Sequence, residues 1–223
     1  MGGILQLFDF ILHIDAYLFL LIQDYGIWIY AILFLIIFVE TGLVFMPLLP
    51  GDSLLFAAGT FCAGVMQENE MAQLNLWVVL SLLIVAAIAG DAVNYLIGKH
   101  FGLKLAKVKI KNYQLINDKH LDKTHAFFEK HGPKTIIIAR FVPIVRTFAP
   151  FVAGIAQMRY PTFFRFNAFG GTIWVISLTL LGYFFGNLSF VRENFETVIF
   201  GIIGLSLLPM VFAFIQEKLK TKA

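Results

Sequence analysis

Residues 40–56, ETGLVFMPLLPGDSLLF, place two carboxylates, Glu40 and Asp52, in one of the most apolar parts of the chain. Pro47, Pro50 and Gly51 lie between them and interrupt any helix running through. The apolar stretch before the break, 26–46, has the roughly 20 residues a bilayer span needs. The stretch after it, 53–65, is too short, since a helix of that length rises only about 20 Å. A hairpin that enters the bilayer and returns on the same side fits the break better than two crossings.

The rest of the chain agrees with a membrane setting. Of its 223 residues, 59% are hydrophobic and only 14% charged, where soluble domains carry about 25%. The class is an all-α polytopic membrane protein. The start, MGGILQLF, lacks the positively charged region of a signal peptide. One cysteine, Cys62, excludes an intrachain disulfide and reads as a small packing residue. His100, His120, His125 and His131 show no metal-ligand spacing with Cys or each other. No hydrolase, metalloprotease or nucleotide-binding motif is present, so the expectation is no enzyme, no metal, no cofactor and no nucleic acid.

Along the chain, residues 1–24 read as an interfacial amphipathic helix, with Gln6, Asp9 and His13 on one face. Residues 67–75 form an acidic loop, and 76–98 a clear span. Residues 99–134 hold nine lysines against three acids, including a short amphipathic helix at 121–132 closed by Gly132 and Pro133. Residues 135–157 are apolar yet contain Arg140, Pro143, Arg146 and Pro150, and 162–186 and 197–215 are two further spans.

Charge sets the expected topology. Residues 1–98 contain eight acids and no Lys or Arg; all 17 bases follow. The lysine-rich loop 99–134 and the basic tail therefore belong on the cytoplasmic side. The number of crossings between them is then even, and the spans 162–186 and 197–215 supply two. Residues 135–157 must re-enter from the cytoplasm, while the 26–65 element re-enters from outside. The result is a single membrane domain built from two oppositely oriented re-entrant hairpins, an inverted repeat of 26–98 and 135–186. PLLPGDSLLFAAG (47–59) against PIVRTFAPFVAG (143–154) is a weak echo in the same sense, as is Gly90 and Gly98 against Gly170, Gly171 and Gly186.

An unpaired charge in mid-bilayer costs about 2.5–3.5 kcal/mol. Glu40 and Asp52 in one hairpin and Arg140 and Arg146 in the other become tolerable if they meet. Two readings follow. Either the pairs only hold the hairpins together, with Asp52 no more than the N-cap of a helix at Ser53, or they form a transport site. In the second, Glu40 and Asp52 couple to protons and Arg140 and Arg146 bind a phosphate. Pro47, Pro50, Gly51, Pro143 and Pro150 are the expected hairpin breaks. Asp91, in GDAVNYLIG, is a weaker candidate, equally well accounted for by a hydrogen bond to a neighbouring helix. Trp28, Trp77 and Trp174 read as span or interface residues.

FVETGLVFMPLLPGDSLLFAAG, GDAVNYLIGKHFG, LDKTHAFFEKHG, KTIIIARFVPIVRTFAPFVAG and LGYFFG together resemble the DedA family of bacterial inner-membrane proteins, part of the wider SNARE-associated or VTT-domain group. The resemblance spans nearly the whole chain. It implies two opposed re-entrant hairpins, an essential acidic pair at Glu40 and Asp52, and essential arginines at Arg140 and Arg146. It further implies membrane-potential- or proton-dependent transport, with undecaprenyl phosphate or a phospholipid translocated in some members and proton–cation exchange in others. Anionic-lipid transport is the leading expectation, with protons and membrane lipids as partners and oligomerisation left open. A proton-coupled cation or drug antiporter and a non-transporting assembly factor are the alternatives.

Overall fold

The computed structural model describes residues 14–43, 51–67, 70–107, 109–110, 113–114, 132–141 and 143–186, with residues 188, 189, 191, 197, 198 and 201 beyond them. In chain order the helices are α1 (Ile14–Tyr25), α2 (Trp28–Gly42), α3 (Gly51–Cys62), α4 (Leu76–Lys107), α5 (Thr135–Ala139), α6 (Pro143–Ile155) and α7 (Tyr160–Phe185). The chain is mainly helical. Two short antiparallel hairpins qualify the all-α expectation: β1 (Val65–Gln67) with β2 (Glu70–Ala72), which begins two residues before the expected acidic loop and runs into it, and β3 (Lys109–Ile110) with β4 (Tyr113–Gln114).

Among the described residues two helical stretches are long and apolar enough to cross a bilayer, Leu76–Gly102 and Tyr160–Phe185. Both were expected: the first runs four residues past the limit read from sequence, and the second starts two residues earlier and ends one earlier than read. The expected span 26–46 is shorter in the structure. Helix α2 has 15 residues and rises about 22 Å, because helical geometry ends at Gly42. Pro47, Pro50, the first part of the N-terminal helix, the 121–131 part of the loop helix and most of 197–215 lie outside the described residues.

The chain divides into two compact units. The first comprises residues 1–36, 48–84 and 175–223, the second 37–47 and 85–174. In the first, Leu18, Ile29, Leu33, Leu54, Leu55 and Phe61 form a fully buried core. The expected interfacial helix therefore turns part of itself inward, with Leu18 and Phe19 buried and Leu20 exposed. Asn75 caps α4, its Oδ1 accepting from the backbone N–H groups of Trp77 at 3.0 Å and Val78 at 3.2 Å. Every residue of α3 except Asp52 is buried.

Helix α3 packs on the C-terminal part of α7 backbone to backbone. A Cβ at Gly59 would strike the carbonyl of Thr179, and one at Gly182 would strike the carbonyl of Phe56. The second unit repeats this arrangement between α6 and α4. A Cβ at Gly154 would strike the carbonyl of Tyr95, and one at Gly98 the carbonyl of Phe151. In each clasp the carbonyl belongs to the residue three before the glycine on the same helix. Small residues at such contacts let membrane helices approach closely and gain dispersion energy that lipid cannot supply.

In the second unit Tyr95 stacks on Phe163 with ring centroids 4.5 Å apart, and its hydroxyl donates to the carbonyl of Met158. The break expected within 135–157 falls between the end of α5 at Ala139 and the start of α6 at Pro143. Pro143 opens α6, where its missing N–H costs nothing. Pro150 is a correction: it lies inside α6 and does not end it. A proline removes one backbone bond and crowds the preceding turn, and surrounding protein can absorb both inside a membrane segment.

Candidate functional site

Helix α5 ends at Ala139, and the Arg140 N–H closes a tight last turn on the Ile137 carbonyl at 3.2 Å. This turn places the Arg140 side chain in the interior, only 3% exposed. Its Nη2 donates to Asp91 Oδ2 on α4 and to Asn167 Oδ1 on α7. Asn167 is held in turn, its Nδ2 donating to the Ile88 carbonyl at 3.1 Å. Gly170 and Gly171 give the arginine room. A Cβ at Gly171 would lie 3.2 Å from Arg140 Cζ, tighter than ordinary van der Waals contact.

Arg146 projects from the first turns of α6, after the break, and forms the second ion pair. Its Nη2 lies 2.7 Å from Glu40 Oε1, with the side chains 8% and 1% exposed. The Trp174 ring covers the Arg146 guanidinium at 4.8 Å from Cζ to ring centroid and lies 6.0 Å from that of Arg140. A desolvated contact of this kind contributes about 2 kcal/mol. Asn94 ties the elements of this pair together. Its Nδ2 donates to the Thr41 carbonyl at 3.1 Å and the Thr147 carbonyl at 2.7 Å. These are the residues next to Glu40 and Arg146, so one buried amide fixes both backbones where the ion pair forms. Thr41 is also seated against Gly90, where any Cβ would collide with its hydroxyl.

The cluster thus holds two guanidinium groups and two carboxylates with no net charge, in the second unit. Desolvating either partner alone would be costly, whereas pairs with further hydrogen bonds recover much of that cost. Asn94 Oδ1 and Arg140 Nε have no hydrogen-bond partner among the described residues. No group of three or more His, Cys, Asp or Glu able to hold a metal occurs among them either.

Three of the four main candidates, Glu40, Arg140 and Arg146, meet here. Asp52 does not belong to this unit. It lies, half-buried, in the first turn of α3, which begins at Gly51 and not at Ser53, where an acid favours the helix dipole. The carboxylate opposite Arg140 is Asp91, the weaker sequence candidate. Asn94, Asn167 and the stacking role of Trp174 were missed. Helical spacing could have found them, since Asp91 and Asn94 are three apart, and Asn167, Gly170, Gly171 and Trp174 repeat at three, four and seven along α7.

Apolar helices of spanning length, a broken element after the basic loop and a buried cluster of paired charges define an integral membrane protein that keeps ionised groups inside its apolar body. The VTT domain model matches residues 49–184. Protein DedA of Escherichia coli strain K12 is 53% identical over 212 residues, 95% of this chain and 94% of that protein. An uncharacterized membrane protein of Mycobacterium leprae is 45% identical over 80% of this chain and 76% of its own length. The inner membrane protein YqjA of Escherichia coli strain K12 is 36% identical over 71% and 68%. The chain belongs to the DedA family. No solved structure matches it.

Proposed function

We propose that the chain transports an anionic lipid across the inner membrane, with protons or the membrane potential as the driving force. The observation that supports this most is the Glu40–Arg146 pair, a carboxylate and a guanidinium 2.7 Å apart and almost wholly buried. Protonating Glu40 removes the anion that Arg146 holds. The guanidinium then takes a replacement anion, and a phosphate offers two oxygens to its planar fork. The net charge of the site stays near zero when proton and singly charged phosphate enter together, which is the physical basis of coupling. Asp91 and Arg140 offer a second exchange of the same kind, and Asp52 a further proton site. The lipid tail remains in the bilayer throughout, and no covalent chemistry is required.

On this reading 26–65 and 135–157 are the opposed re-entrant hairpins, with the 99–134 loop and C-terminus cytoplasmic. The two matched glycine clasps support an inverted repeat, since α3 and α6 follow the two breaks and use the same four relative positions. Undecaprenyl phosphate is the substrate proposed first, and a phospholipid second. Reconstitution tests the proposal: purified protein in liposomes should move labelled undecaprenyl phosphate across the bilayer faster than empty liposomes do, and no acceleration refutes it. Arg146→Ala should abolish that movement. Survival of proton-coupled cation transport in the variant would favour an antiporter.

A further inference from the structure

On the outer face of the second unit, α5 and α7 enclose an open groove of about 590 Å³. It is lined by Lys134, Ile137 and Ile138 on one side and Arg165, Phe166 and Phe169 on the other. Ile138 and Phe169 are 66% and 60% exposed, and Lys134 and Arg165 are exposed as well. Lys134 precedes α5 and Arg165 lies in the second turn of α7, so both cations sit near the helix starts. Among the described residues neither is paired with a carboxylate. The isoleucine and phenylalanine walls extend from that charged end. A groove with two exposed cations at one end, neither paired with a carboxylate among the described residues, and apolar walls beyond fits one molecule with an anionic head and a hydrocarbon tail.

The groove adjoins the buried cluster. Ile137, on its wall, is one turn before Arg140 on α5, and Gly170 meets the Ile137 Cα so closely that a Cβ would lie 3.3 Å away. Asn167, which follows the groove residue Phe166, turns its side chain the other way to Arg140. The same two helices therefore present the groove outward and the Arg140–Asp91–Asn167 cluster inward, with a glycine-thin seam between.

We infer that this groove docks an anionic lipid of the bilayer, its phosphate between Lys134 and Arg165 and a chain along Ile137, Ile138, Phe166 and Phe169, as a station preceding Arg140. The inference rests on the transport reading only for the word station; the docking itself does not require transport.

Native mass spectrometry of the full chain tests it, in micelles containing equal amounts of dioleoyl phosphatidylglycerol and dioleoyl phosphatidylcholine. The unaltered protein should retain the anionic lipid preferentially. Lys134→Ala or Arg165→Ala should lower that preference about fivefold each, and the double variant about 25-fold. Arg159→Ala, which removes an exposed cation outside the groove, should leave it unchanged. The charge-conserving double variant Lys134→Arg with Arg165→Lys should retain it. Equal retention of both lipids by the unaltered protein overturns the inference, and so does an equal loss in Arg159→Ala. The same preparations assayed in liposomes separate the two proposals. A preference lost in the double variant without any lipid movement by the unaltered protein refutes transport and leaves the groove. Lipid movement without a preference refutes the groove and leaves transport.

Discussion

Arg146→Met removes a guanidinium but keeps an apolar stem of similar length, and it leaves Glu40 only 1% exposed and without its cation. With the terminal nitrogen 2.7 Å from Oε1, the charge centres lie about 4 Å apart, and two unit charges at that distance attract by about 4 kcal/mol at an effective dielectric of about 20. Loss of one partner of such a buried pair costs about 3–5 kcal/mol, because the remaining charge must be neutralised or hydrated. Glu40→Gln keeps an oxygen that accepts from Arg146 Nη2, so it should cost less, about 1.5–3 kcal/mol. In the double variant neither charge is stranded. It should be less destabilised than the two single variants added together, by about 2–4 kcal/mol. Equilibrium unfolding in mixed detergent micelles, followed by circular dichroism, gives all four corners of the cycle. A coupling below about 0.5 kcal/mol would mean that the two side chains do not share the buried pair, and the site geometry would be refuted.

Other outcomes follow from the same structure. Asp91→Asn should destabilise by about 2–4 kcal/mol, since Arg140 loses its buried carboxylate, and a lowered unfolding midpoint checks it. Gly98→Ala and Gly182→Ala should each cost about 1–3 kcal/mol by driving a methyl group into a carbonyl, while Gly201→Ala, with nothing within 4 Å, should leave the unfolding midpoint in place. Trp174→Leu should weaken the fold by about 2 kcal/mol through loss of the stacked ring, and restoring an aromatic ring with Trp174→Phe should recover part of it in the same assay. Asn75→Ala should cost about 1 kcal/mol through loss of the α4 cap, measured as faster amide exchange at Trp77 and Val78.

What the sequence makes legible here is what lipid penalises. Residues 76–98 and 162–186 stand out because a predominantly apolar run of that length is rare outside a bilayer, and Glu40, Arg140 and Arg146 because an ionised group there demands a partner. The identity of the partner is another matter. Arg140 takes Asp91, 49 residues away, and no local pattern distinguishes that carboxylate from Asp52. Asn94 and Asn167 carry no charge and so raise no alarm in a hydropathy reading, although each ties two elements together. Pro150 misleads for the opposite reason. Its local effect is real, but packing around α6 outweighs it. Gly42 ends α2 before the composition changes, so an apolar stretch of spanning length contains a helix too short to span.

The clasp between α3 and α7 has a consequence for biosynthesis. Thr60 on α3 bonds both its own helix and the carbonyl of Gly182, which lies 122 residues further along the chain. At about 5–20 residues per second, translation takes roughly 6 to 24 s to supply that partner. Until then α3, a 12-residue helix too short to cross the bilayer, has no partner for its glycine face. The early chain therefore has to be sheltered during insertion, and a nascent chain halted before α7 should be the form most readily captured by an insertase or degraded by a membrane protease.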